Sequence, residues 1–248
     1  MRDLLRADWP RALRSRCYRW ILLFALFLGA GCVLICTVET NDRRLLLAEA
    51  SNNLVMFLSM FMAVLSGALS VIAIAAEFSS GVIRNKCIIG HRRSHILFAW
   101  VLIYSMTTVL SFLAFFSAFF LALLCSGAAL SQASAGAIAG NLLLILLFML
   151  KFQMFSLLAV CIYPDVKTAV ICYLLSNASL IPIMLASVDG ENDEAVGLLS
   201  RFFFVGFLND FQLDATTAQP WLTALCVLSL GAGYLLLALA YFQRKELK

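Results

Sequence analysis

Two groups of residues in this sequence have the types and spacing to do chemistry. The first is the stretch Glu77–His95, EFSSGVIRNKCIIGHRRSH. It holds Glu77, four cations (Arg84, Lys86, Arg92 and Arg93) and both histidines of the chain, His91 and His95. Cys87, His91 and His95 recur at i, i+4 and i+8, so on an unbroken helix they would share a face that could bind zinc. Gly90 interrupts that run and no fourth ligand follows, so no metal site is expected. The second group centres on Lys151, inside the apolar run LLFMLKFQMF, with Gln153 two residues on and Asn177 in the next apolar run. An ammonium at membrane depth is costly unless it meets water or a partner. The nearest interface is about 15 Å away by helix rise, a long reach for one lysine. Lys151, Gln153 and Asn177 are therefore candidates for a translocation pathway or a protein interface. The structural alternative is a Lys151 that hydrogen-bonds backbone carbonyls.

Catalysis has little to work with. No paired carboxylates lie within an apolar run, and no G-x-S-x-G nucleophile motif occurs. No G-x-x-x-x-G-K-[ST] phosphate loop occurs either, so ATP, if it is used, binds to another chain. The acidic cluster Asp189, Glu191, Asp193 and Glu194 reads as a solvated turn. No basic stripe with interleaved aromatics points to nucleic acid.

The elements that must carry these residues follow from composition. Hydrophobic residues make up 63% of the 248 and charged residues 13%, against about half and about a quarter in soluble domains. Packing on itself cannot keep that much apolar surface from water, so lipid is the solvent. In lipid the backbone must satisfy itself, which leaves helices or closed barrels. The apolar runs are continuous and about 20 residues long, the length of a spanning helix, where barrel strands would be about half that. The expected fold is an all-α membrane protein of six transmembrane helices in one domain, 1–248. The expected spans are 20–38, 54–76, 96–125, 141–163, 168–187 and 221–242. The third is over-long, so it tilts or extends into water.

Residues 1–19 alternate Leu4, Leu5, Trp9 and Leu13 with Arg2, Arg6, Arg11 and Arg14, a basic amphipathic helix for the headgroup plane. Pro10 is expected to break it or to start its second turn. Residues 39–53 and 126–140 read as loops, and Pro164–Lys167 as a tight turn. The long connection 189–220 regains an apolar, aromatic stretch too short to span, expected as re-entrant or interfacial helices. Gly67, Ser70 and Ala73, and Gly231, Ala232 and Gly233, are expected to let helices approach closely. The eight cysteines read as small hydrophobes in packing. With the amino terminus inside, inner segments hold fourteen lysines and arginines and outer ones three, Arg43, Arg44 and Arg201. That bias puts both termini in the cytoplasm.

These features resemble the ABC-2 type permeases, the membrane subunits of a class of ATP-driven exporters. The likeness is sharpest in the central loop. There the family shows Glu, three residues later Ser-Gly-Thr-Ile-Arg/Lys-Asn, then Gly-x-Ser-Arg and an Ile opening the third span. This chain has Glu77, Ser80-Gly81-Val82-Ile83-Arg84-Asn85, Gly90-His91-Arg92-Arg93 and Ile96. Val82 stands in place of Thr, Arg92 in place of a small hydroxyl residue, and Trp100 where Lys is common. The ending Tyr241–Leu247 also looks like the family's tail.

The resemblance implies that 77–95 is a coupling helix seated on a cytoplasmic ABC ATPase, through Glu77, Ser80, Gly81, Arg84, Asn85, Lys86, Gly90 and Arg93. It implies that 1–19 is a connecting helix, and that two permease chains pair as a homodimer. ATP and Mg²⁺ would then belong to the ATPase, with no cofactor on this chain. The implied work is outward movement of an amphipathic peptide or other lipophilic substrate across a bacterial plasma membrane. The alternatives are a stand-alone secondary carrier, a polytopic membrane enzyme, or an assembly or sensor protein that binds an ATPase without transporting. A carrier would show internal repeats and broken helices, and neither is evident.

Overall fold

A computed structural model of the protein describes residues 2–39, 50–125, 135–178 and 220–244. They form the α-helices α1 (Arg2–Arg14), α2 (Arg16–Glu39), α3 (Ala50–Ser79), α4 (Val82–Ile88), α5 (Arg93–Cys125), α6 (Ala135–Ile162), α7 (Val166–Ala178) and α8 (Pro220–Arg244), with no strand among the described residues. Among those residues four stretches are long and apolar enough to cross a membrane: Phe57–Ser79, Arg93–Cys125, Gly136–Ile162 and Pro220–Arg244. The bent pair α1–α2 makes a fifth if it is counted as one span. The described residues are thus helical, in the manner of a multi-pass membrane protein. Helix α7 has 13 described residues; the rest of the expected fifth span, and the expected re-entrant segment 189–220 up to its last residue, lie outside the described residues. So do 40–49 and 126–134 of the expected loops.

Several boundaries differ from the sequence reading. Helix α1 continues through Pro10, which costs the bond its missing N–H would have made. The chain breaks instead at Ser15. The Ser15 Oγ accepts a hydrogen bond from the Tyr18 backbone N–H at 3.2 Å, a side-chain cap for α2. The two helices then meet at a bend of 56°. Helix α6 starts at Ala135, inside the uncharged stretch read as a loop, because Ala-rich sequence continues a helix readily. Helix α3 runs to Ser79 and so carries Glu77 in its last turn. Pro220 opens α8, where a missing N–H costs nothing.

Helix α6 is the centre of the bundle, packed against α3, α8, α7 and α5, while α2 lies along α5 and α3. Its buried side chains include Ile145, Phe148, Met149 and Phe152. The outer helices turn large apolar side chains outward, Phe27, Leu121, Leu175 and Leu236 among them, a surface suited to lipid. Apolar burial does not drive helices together in lipid, so close packing must. A Cβ on Gly67 would collide with the Tyr173 hydroxyl of α7. Gly231 faces the Lys151 backbone of α6 at ordinary contact distance. A third close approach was not expected from sequence: a Cβ on Gly29 would run into the Phe115 carbonyl oxygen of α5. Around it the α5 rings of Phe112, Phe115, Phe116 and Phe119 interlock, with centroids 4.7–6.4 Å apart.

Candidate functional site

The seven-residue helix α4 is cut out of the chain by two glycines. Gly81 precedes it at φ 70° and Gly90 follows at φ 99°, conformations in which a side chain would be strained. At its end the Gly90 N–H reaches the Cys87 carbonyl at 3.0 Å and the His91 N–H reaches the Lys86 carbonyl at 3.1 Å. This is the Schellman arrangement that stops a helix with a left-handed glycine. Cys87 is thereby separated from His91 and His95. Among the described residues no group of three or more His, Cys, Asp or Glu side chains could hold a metal.

One side of α4 is anchored to the bundle. Ile83 is buried. The Lys86 Nζ donates to Asp8 Oδ2 of α1 at 2.7 Å and to Glu77 Oε2 of α3 at 2.9 Å. The Trp100 Nε1–H of α5 donates to the same Glu77 oxygen at 3.2 Å. Burial alone would push the Lys86 ammonium down. The hydrogen bond to Asp8 and the charge and hydrogen bond of Glu77 outweigh it, so its pKa lies above the usual lysine value. Trp100 also stacks with Phe78 and Phe242, centroids 5.8 and 5.5 Å away. Arg93 donates to the carbonyl of Gln243 at 2.9 Å near the end of α8, an end where a cation is favoured. One small cluster therefore ties α1, α3, α4, α5 and α8 together.

The other side of α4 is bare. Ile88 is 72% and Ile89 77% exposed, beside exposed Arg84, Asn85, Gly90 and Arg92. The residues the family likeness groups together are thus divided. Arg84, Asn85 and Gly90 face out, as does Ser80, whose hydroxyl donates to the Glu77 carbonyl at 3.4 Å. Glu77, Lys86 and Arg93 are engaged within the chain, and Gly81 serves the turn. Asp8 was missed in the sequence. Its signal was its place as one of only two acids, Asp3 and Asp8, among the arginines of a segment otherwise suited to a headgroup surface.

Lys151, Gln153 and Asn177 are all buried, but they do not form one group. Two residues apart on a helix is about 200° of rotation. Gln153 faces α3 and α5, where its Oε1 accepts from Ser70 at 3.0 Å and Thr108 at 3.4 Å; its Nε2 donates to Ser156 at 3.2 Å. The Lys151 backbone lies against Gly231 of α8. The Lys151 Nζ lies 4.7 Å from the Phe148 ring centroid and 5.2 Å from that of Phe152. No carboxylate pairs with it among the described residues. Asn177 donates back to the Tyr173 carbonyl of its own helix at 2.6 Å.

A cavity of about 510 Å³ opens beside the Asp8–Glu77 cluster, between the α1–α2 bend, α3 and α5. Its walls are mainly apolar, with rungs of hydroxyl groups. A scan of the sequence against known protein families gives no match, and a search of curated proteins gives none.

Proposed function

We propose that the chain is the membrane subunit of an ATP-driven exporter, with a separate ATPase docked on the outer face of α4. The reading takes the bundle as six spans with both termini in the cytoplasm of a bacterial cell, and the working unit as a pair of such chains. The observation that carries it is the two-sidedness of α4. A helix of two turns normally hides its isoleucines, yet Ile88 and Ile89 are bare and flanked by Arg84 and Arg92. The opposite side is braced by buried Ile83 and by Lys86, which pairs with Asp8 of α1 and Glu77 of the membrane-length α3. An apolar, cationic knob on a braced helix suits a groove with an acidic rim, and the brace would pass a displacement of that knob to α1, α3 and α5. The cargo in this reading is an amphipathic peptide or another lipophilic molecule.

The test is co-purification of the tagged chain in mild detergent from its own cells, with the retained protein assayed for ATP hydrolysis. The wild type should retain an ATPase. The variant Arg84→Glu/Ile88→Asp should lose it while eluting as a folded protein. Absence of any ATPase from the wild type would leave the exporter reading without an engine. A stand-alone carrier working through Lys151 would then be the reading to pursue.

A further inference from the structure

The cavity beside the ion cluster has the build of a binding site. On α3 its lining runs from Glu77 to Ser66, eleven helical steps, or about 16 Å at the rise of a helix. That matches one leaflet of hydrocarbon, about 15 Å. The walls between are mainly apolar, with Ile21, Leu69, Ala73, Ala76 and Ile103, and the hydroxyls of Ser66, Ser70, Thr107 and Ser111 among them donate to backbone carbonyls. A volume of about 510 Å³ is within the usual range for a small-molecule site.

The mouth is charged, and its charges are incompletely matched. Two carboxylates, Asp8 and Glu77, share one ammonium, Lys86. The bonds they accept fall on Asp8 Oδ2 and Glu77 Oε2. Asp8 Oδ1 and Glu77 Oε1 therefore accept no hydrogen bond among the described residues. The Tyr104 side chain, one turn along α5 from Trp100, lines the same space, and its hydroxyl has no hydrogen bond among those residues either. Arg11 lines the mouth one turn along α1 from Asp8 and forms no ion pair among them. The opening thus offers acceptors for a cation and, one turn along α1 from Asp8, a guanidinium for an anion. It leads into a slot one leaflet deep.

We propose that this cavity binds a membrane amphiphile whose head carries a primary ammonium and a phosphate. The ammonium donates to Asp8 Oδ1 and Glu77 Oε1, the phosphate pairs with Arg11, and one acyl chain runs between α2, α3 and α5. The free oxygens let the ammonium bind without displacing Lys86. A quaternary ammonium has no N–H to give them, and a head without an amine leaves the excess negative charge unmatched. The site does not depend on any ATPase, so it stands or falls apart from the exporter reading.

The test titrates the full chain in detergent with three single-chain lipids of equal chain length, with phosphoethanolamine, phosphocholine and phosphoglycerol heads, and reads one-to-one binding by native mass spectrometry. The ethanolamine lipid should bind roughly tenfold tighter than the other two, the size of one charge-assisted hydrogen bond. Free phosphoethanolamine, lacking the chain, should not compete. Asp8→Asn should erase the preference among heads, and Ala73→Phe, which fills the slot, should weaken all three. Asp8→Asn also loosens α4, so Lys86→Met is the control: it loosens α4 but keeps both carboxylates, and should keep the preference. Equal binding of the three heads would overturn the proposal. So would a preference that survives Asp8→Asn, one lost in Lys86→Met, or binding untouched by Ala73→Phe.

Discussion

Gly29 and Gly31 lie two residues apart on α2 and meet opposite surroundings. A Cβ at Gly29 would strike the Phe115 carbonyl oxygen, which is backbone and cannot swing aside, whereas a Cβ at Gly31 meets nothing within 4 Å. Gly29→Ala must therefore push α2 off α5, at a cost of about 1–3 kcal/mol. Gly31→Ala gains helix propensity and removes chain entropy from the unfolded state, worth about 0.5–1 kcal/mol in the other direction. Thermal unfolding of the two variants in detergent should move the midpoint down for the first and up, or not at all, for the second. A loss of similar size in both would mean that the α2–α5 contact is not the reason Gly29 is small. Sequence alone could not separate them. Both sit in one Gly-Ala-Gly triplet, and the difference lies in α5, more than eighty residues away.

At the scale of the element, α4 is held by one lysine bonded to two carboxylates. The sequence reading takes 77–95 as one coupling helix, whereas Gly81 and Gly90, at backbone angles only glycine accepts without strain, cut the helix to Val82–Ile88. Its anchor was not legible in the sequence, because Asp8 lies 78 residues from Lys86 and nothing local marks the pair. The fit among the three charges sets a test. Lys86→Ala leaves two partly buried carboxylates facing each other and should destabilise the protein by roughly 3 kcal/mol, the lower end for breaking a buried pair. The triple variant Asp8→Asn/Glu77→Gln/Lys86→Met removes every charge and should recover most of that loss. The pH dependence follows from the raised Lys86 pKa. A cation whose folded pKa exceeds its unfolded one contributes fully below the unfolded value, about 10.4. That contribution fades as pH rises through the folded value. Wild-type stability should thus lose the Lys86 contribution only in the alkaline range, and the triple variant should lack that component. Melting both across neutral and alkaline pH checks the sign. An equal alkaline loss in the triple variant would place the titrating group elsewhere.

The whole molecule is arranged around α6, and α6 carries a lysine where a leucine would pack. The membrane class was legible in composition, because so few charges cannot keep 63% apolar residues in water. The depth of Lys151 was legible too, from its place in an apolar run. Its company was not, since the Lys151 Nζ lies over Phe148 and Phe152 while Gln153 reaches Ser70 and Thr108. Two aromatic rings give the ammonium about 0.5–2 kcal/mol, less than an unpaired buried cation costs. On that balance the bundle carries Lys151 at a net cost in stability, and in the proposed exporter reading the charge is kept for transport. Lys151→Met keeps the length and shape of the chain and removes the charge. It should raise stability by roughly 1–3 kcal/mol and, if the proposed export holds, lower that export at least about tenfold, a loss of 1.4 kcal/mol or more in the rate-determining step. Lys151→Arg should keep the charge and part of the activity. Melting temperature and export by cells carrying each variant give the two readings. Opposite signs in the methionine variant mark a charge kept for work. A variant that gains stability and still exports would reduce Lys151 to a tolerated misfit in α6 and move the pathway elsewhere in the bundle.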